Sequence, residues 1–159
     1  HPRKALEAVT EAEFDRVFSI NVKSMFFTAK YAVPMMRASG GGVIINTAST
    51  AASRPRPGLT WYNTSKGAVV TMTKSMAAEL AQDNIRVCAL NPVIGETGML
   101  EEFMGKPDTP ENRQAFLDTI PLGRFLKPVD VAKAALFLAS EEASMVTGVD
   151  LEVDGGRCI

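Results

Sequence analysis

Three short runs of strand character, each preceded by a much longer stretch of helical period, constrain this chain more than any other feature. The runs are residues 43–47, 85–90 and 150–153. Helical stretches of this length between strands exclude hairpins. They require parallel strands joined by crossovers, which are right-handed. The order helix–strand, three times over, therefore reads as an α/β fold with a parallel sheet.

The helices carry their own boundary signals. Thr10-Glu11-Ala12-Glu13 is a capping-box pattern, with Thr10 as N-cap and Glu13 reaching back. Phe14, Val17, Phe18, Val22, Met25, Phe26 and Ala29 then recur at helical spacing. This first long helix is expected to bend, to lose a donor at Pro34 and to stop near residues 37–39. Gly40, Gly41 and Gly42 follow as a turn. They are no phosphate cradle, because such a loop follows a strand and opens a helix, and here the order is reversed. A second helix is expected over 61–82, with Val69, Met72, Met76, Ala77 and Leu80 as its apolar stripe, and a third over 129–140. Residues 50–60 read as a loop. Residues 93–128, with Pro107, Pro110, Pro121 and Pro128, read as an irregular insertion with short helices and the composition of a lid.

At 159 residues one core and one domain are expected. A net charge of −1 gives no electrostatic case for nucleic acid or an anionic membrane, and no apolar run is long enough to span a bilayer. The first residues lack the apolar centre of a signal peptide, and Cys88 and Cys158 do not make a disulfide framework. Cytoplasm is the expected location. No His, Cys or carboxylate spacing suggests a metal site.

The chemistry concentrates between Ser49 and Lys66. Tyr62 and Lys66 are four apart, so a helix projects both from one face. An ammonium beside a phenol favours phenolate and is expected to lower the Tyr62 pKa from about 10. Ser49, at a strand end, is placed to hydrogen-bond the oxygen that Tyr62 protonates. Trp61 is assigned either to the substrate pocket or to core or interface. The sequon at Asn63 is a chance match on this helix.

Ser49, Tyr62 and Lys66, with Asn21 upstream, Asn91-Pro92 closing a strand and the ending Asp154-Gly155-Gly156, resemble the short-chain dehydrogenase/reductase family over nearly the whole chain. The resemblance implies a Rossmann-like doubly wound parallel sheet, of which this chain supplies the C-terminal part, three strands with flanking helices. Residues 1–159 are then one domain, the C-terminal portion of a Rossmann domain without its N-terminal glycine-rich cofactor half. The lack of an initial Met agrees with a fragment.

The resemblance further implies hydride transfer between NAD or NADP and a small-molecule alcohol/ketone pair. Tyr62 would be the general acid/base, Lys66 would hold the nicotinamide ribose, Ser49 would polarise the substrate oxygen, and Asn21, at a local helix break, would hold a water relaying protons to Lys66. Cofactor contacts are expected from Tyr62, Lys66, Pro92, Val93, Ile94 and Thr97. Val93 stands where the family usually has Gly, and a β-branched residue there is expected to change the local turn. Pairing of the long helices into a homodimer or homotetramer is implied as well. Two rival readings remain: a non-catalytic truncated fragment serving as an oligomerisation module, and a family epimerase or dehydratase.

Overall fold

The computed structural model describes residues 3–98 and 100–159. Helix α1 (Glu11–Phe18) opens on the expected capping box. The Glu13 N–H donates to Thr10 Oγ1 (3.3 Å), and the Thr10 N–H donates to the Glu13 carboxylate (2.9 Å). The helix does not run on unbroken. Residues Ser19–Lys23 form a π-helical turn, with the Ser24 N–H reaching the Ser19 carbonyl, before α2 (Ser24–Ala38) continues. The expected break at Asn21 thus takes the form of a widened turn.

Strands β1 (Gly42–Thr47), β2 (Ile85–Pro92) and β3 (Asp150–Val153) form a parallel sheet in the order β1-β2-β3. Residues Gly42 to Thr47 pair with Ile85 to Leu90, and Ala89 to Pro92 with Asp150 to Val153. The register of the first pair is set at its base. The Gly42 N–H donates to the Asn84 carbonyl (3.1 Å), and the Asn84 side chain donates to the Gly40 carbonyl (3.1 Å). Gly41, at φ +135°, sits so close that a Cβ would lie 2.5 Å from that Asn84 oxygen. Only glycine fits there.

β2 is buried on both faces, which explains its near-continuous apolar run. Ile85 and Val87 face α2 and α4 (Thr60–Leu80), against Val33, Ala77 and Leu80. Ala89 meets Val69 of α4 on the same face. Cys88 and Leu90 point the other way, against Leu138 of α7 (Pro128–Ala139). The molecule is therefore three layers, helices on either side of the sheet. Each fully buried Leu, Ile or Val contributes about 1.5–3 kcal/mol relative to exposure.

Arg86, on β2, joins the last layer together. Its guanidinium donates to the carbonyls of Leu138 (2.7 Å), Ser140 (3.1 Å) and Val146 (3.2 Å), placing a cation at the C-terminal end of α7. The proline-containing loop after β1 is shorter than expected, because its first residues form one helical turn, α3 (Thr50–Ser53). Residues 93–128 hold two short helices, α5 (Leu100–Met104) and α6 (Pro110–Leu117). They build a separate apolar cluster from Val93, Ile94, Leu100, Met104, Ile120 and Phe125. No helix among the described residues is long and apolar enough to cross a membrane.

Candidate active site

The C-terminal ends of β1 and β2 open on a cavity of about 640 Å³, the edge at which open parallel sheets bind ligands. Ser49, Tyr62 and Lys66 all line it. Ser49 sits just past β1 with extended backbone and N-caps α3, its Oγ accepting from the Ala51 N–H (3.1 Å). The Ser49 side chain is also hydrogen-bonded to the Tyr62 oxygen. α3 is itself tied down at its far end. Ser53 bonds Glu152, which also accepts from Asn91 Nδ2 (3.0 Å), and Arg54 donates to the Arg157 carbonyl.

Tyr62 lies in the first turn of α4, and Lys66 follows one turn on. The Lys66 Nζ is 5.8 Å from the Tyr62 ring centroid and donates to the Thr47 carbonyl (2.9 Å). The electrostatics differ from the expectation drawn from their spacing. Burial pushes the Tyr62 phenol above its ordinary value, while the Ser49 hydrogen bond and the charge of Arg56 pull it back. The cation that favours phenolate is thus Arg56, six residues before Tyr62. Burial lowers the Lys66 ammonium below its ordinary value.

Asn21 does not line the cavity. Its side chain donates to Ser65 Oγ (3.0 Å), and that buried hydroxyl donates to the Tyr62 carbonyl (2.7 Å), so Asn21 touches α4 beside Lys66. Trp61 also turns away, donating to the Leu6 carbonyl (3.2 Å) and meeting Phe14 edge-on. Pro92, Val93, Ile94 and Thr97 line the cavity from the end of β2. Val93 does not need a left-handed turn. Among the described residues Asn84 is the only non-glycine at positive φ, and the Val93 N–H instead extends the ladder to the Val153 carbonyl (3.2 Å).

Residues not singled out from sequence complete the wall. Phe103 meets the Tyr62 ring edge-on (6.2 Å), and Phe116 lies under the guanidinium groups of Arg56 (5.5 Å) and Arg157 (4.8 Å). The pair of arginines in Arg54-Pro55-Arg56-Pro57, inside the Ser49–Lys66 stretch, was the available signal for Arg56. Nothing in the sequence linked Arg157 to it. Glu152, Asp154 and Cys158 bring metal-type ligand atoms within 4.8 Å of one another. The grouping is structural, since Asp154 accepts from the N–H groups of Gly156 and Cys158 (2.8 Å each). Burial and the two carboxylates push the Cys158 thiol up to about 12, leaving it protonated.

A family model described as enoyl-(acyl carrier protein) reductase matches residues 1–157. The chain is similar to 4-formylbenzenesulfonate dehydrogenase of Comamonas testosteroni, 54% identical over 159 residues, covering 100% of this chain and 63% of that protein. It is also similar to 3-oxoacyl-(acyl-carrier-protein) reductase of Thermotoga maritima, 42% identical over 154 residues, 97% of this chain and 61% of the relative. Among solved structures it superposes on 3-ketoacyl-(acyl-carrier-protein) reductase from Brucella melitensis complexed with NADH. The TM-score is 0.92 at 48% identity, over 100% of this chain and 64% of the other. The chain thus spans somewhat under two thirds of the length of the proteins it matches.

Proposed function

The chain belongs to the short-chain dehydrogenase/reductase family, and on that footing we propose that it forms the proton-handling part of an oxidoreductase acting on an alcohol/carbonyl pair with NAD or NADP. The observation that carries this reading is the convergence of Tyr62, Ser49 and Lys66 on one cavity, with the Tyr62 oxygen hydrogen-bonded to Ser49.

In the reducing direction the Tyr62 hydroxyl protonates the substrate oxygen, and in the oxidising direction the phenolate removes the alcohol proton. Ser49 donates its single proton to that oxygen while Tyr62 is protonated, and to the phenolate once Tyr62 has given its own proton up. The phenol therefore has a donor when ionised and a nearby cation, Arg56, to favour that form. A nicotinamide cofactor, when bound, supplies or accepts the hydride.

The residues present suit its nicotinamide end. Lys66 uses one donor on the Thr47 carbonyl and has two more for ribose hydroxyls. The cavity volume lies in the ordinary range for small-molecule sites. Pro92, Val93, Ile94 and Thr97 are assigned to the cofactor along the same wall. For Asn21 we retain the proton relay toward Lys66; its amide is held on Ser65, the residue before Lys66. We place the protein in the cytoplasm as a homodimer or homotetramer. The apolar side chains Phe26, Phe27, Tyr31 and Met35, exposed on α2, support subunit pairing.

The test is cofactor-dependent turnover of a panel of aldehydes and alcohols by the full-length protein and its Tyr62→Phe variant. Turnover lost in the variant, with nicotinamide fluorescence on binding retained, supports the reading. Turnover that survives the substitution refutes the role of Tyr62. Failure of the protein to bind either cofactor favours the oligomerisation module.

A further inference from the structure

The cavity carries a charge bias larger than the proton chemistry at Tyr62 needs. Arg54, Arg56, Lys66, Lys127 and Arg157 line it, and no Asp or Glu does so among the described residues. Lys66 belongs with Tyr62. Arg56 and Arg157 belong together, because both guanidinium groups lie against one ring, Phe116.

Holding two guanidinium groups there is unfavourable in the protein alone. Each is desolvated, and Arg56 is further disfavoured by the charges of Arg3 and Arg157. Arg157 has Asp154 nearby in partial compensation and spends one nitrogen on Thr119. Among the described residues no carboxylate acts on Arg56. A buried or half-buried arginine normally has an anionic partner. Both arginines line the cavity, which offers a place for such a partner.

The position of the pair narrows what the anion is attached to. Phe116 carries the arginines, and Phe103 bridges toward the Tyr62 ring. A ligand reaching from Tyr62 to Arg56 therefore runs along aromatic walls, and an aromatic frame fills that space by stacking and edge contacts. The far end meets planar forks that suit a carboxylate or sulfonate.

The geometry points to a substrate that carries an anionic oxygen group on an aromatic frame, its aldehyde or alcohol carbon at Tyr62 and its carboxylate or sulfonate at Arg56 and Arg157. This rests on the proposed oxidoreductase activity for the reacting end, while the anion subsite stands on the arginines themselves. Arg56 is the specificity-determining residue, and Arg157 is its fixed second cation.

Two measurements on the full-length protein separate the subsite from the activity. In the first, kcat/KM is compared for 4-carboxybenzaldehyde, 4-sulfobenzaldehyde and uncharged 4-methylbenzaldehyde, in the wild type, Arg56→Gln and Arg56→Lys. The wild type is expected to favour at least one charged aldehyde by about tenfold or more, and Arg56→Gln to reduce that ratio by about tenfold, with Arg56→Lys between them. The charged aldehyde preferred tells carboxylate from sulfonate. A wild-type ratio near one, or a ratio unchanged in Arg56→Gln, overturns the proposal and leaves the oxidoreductase reading standing. An equal loss of affinity for NADH and NADPH in Arg56→Gln also overturns it, by giving the arginine to the cofactor.

In the second, calorimetry compares 4-methylbenzoate and 4-methylbenzenesulfonate with 4-methylbenzamide. Anion binding that persists in Tyr62→Phe and is lost in Arg56→Gln supports the subsite even where no aldehyde is turned over. Equal binding of anions and amide refutes it. Circular dichroism melts of each variant show whether a lost signal is a lost fold.

Discussion

Removing the Ser49 hydroxyl perturbs two quantities at once, and the structure assigns a size to each. The Ser49 Oγ accepts from the Ala51 N–H and is hydrogen-bonded to Tyr62. A hydrogen bond to a charged group contributes about 1.5–3 kcal/mol, and one pKa unit corresponds to about 1.36 kcal/mol. Solvent reaches the open cavity and replaces part of the lost donor, so the low end applies. Ser49→Ala is expected to raise the Tyr62 pKa further above its ordinary value, beyond what burial already does, by removing a donor worth about 1.5 kcal/mol to the phenolate. Loss of the cap on a helix of one turn costs about 0.5–1 kcal/mol, a fall in Tm of a few degrees.

The sign for stability follows from the same shift. A phenol whose folded pKa lies above its unfolded value contributes stability that is full below about pH 10 and is lost as pH rises through the folded value. Ser49→Ala moves the upper end of that window further up. The assay is absorbance titration of tyrosinate in the 159-residue chain with Tyr31→Phe, where Tyr62 is the one tyrosine of these residues. The pH profile of alcohol oxidation should shift with it, its rise displaced to higher pH by the same amount. Ser49→Thr should restore both the cap and the midpoint. A titration midpoint that stays put or falls, in a protein whose Tm has dropped, would refute the argument that one hydroxyl serves both partners.

Other substitutions test the frame around the site. Leu138→Ala, buried in the last turn of α7 against Cys88 and Leu90 of β2, should cost about 2–5 kcal/mol in urea unfolding with an unchanged m-value. Gly41→Ala forces a Cβ to 2.5 Å from the Asn84 carbonyl at φ +135°, and should cost about 1–3 kcal/mol by the same measurement. Gly67→Ala, inside α4 with nothing within 4 Å of the added Cβ, should instead stabilise by about 0.4–1 kcal/mol. Glu13 is held at about 2 rather than 4.5, chiefly by its hydrogen bond with Lys4 and then by the Thr10 N–H. Its contribution is present above the unfolded value and is lost as pH falls through the folded one, so Glu13→Gln should flatten the acid limb of a Tm-against-pH curve.

Where a feature of this molecule is encoded within a few residues, it could be read directly. The Thr10–Glu13 box, the strand at Asp150–Val153 and the face shared by Tyr62 and Lys66 are all of that kind. The helix break at Asn21 was also legible, though its π-helical form depends on how the backbone reconnects and not on any local signal. What stayed hidden depends on burial or on distant segments meeting. The spacing of Tyr62 and Lys66 suggested a lowered phenol pKa. Spacing says nothing of desolvation, and burial outweighs the charge. The cation that acts on the phenol reaches it across a loop whose path no periodicity encodes. Arg157 joins Arg56 from 101 residues away only because β3 lies beside β2.

Arg86 has a consequence for the order in which the molecule assembles. The three carbonyls it gathers lie 52 to 60 residues downstream. Closing a loop of that length is entropically costly before other contacts compensate it, so the grip forms late. Contacts absent from the folding transition state govern how fast a protein comes apart rather than how fast it forms. The guanidinium should therefore act as a latch on the completed layer: Arg86→Met would hasten unfolding severalfold and leave the folding rate almost untouched. During synthesis β2 emerges well before the residues that Arg86 holds, and until then the α7 face of the sheet waits open.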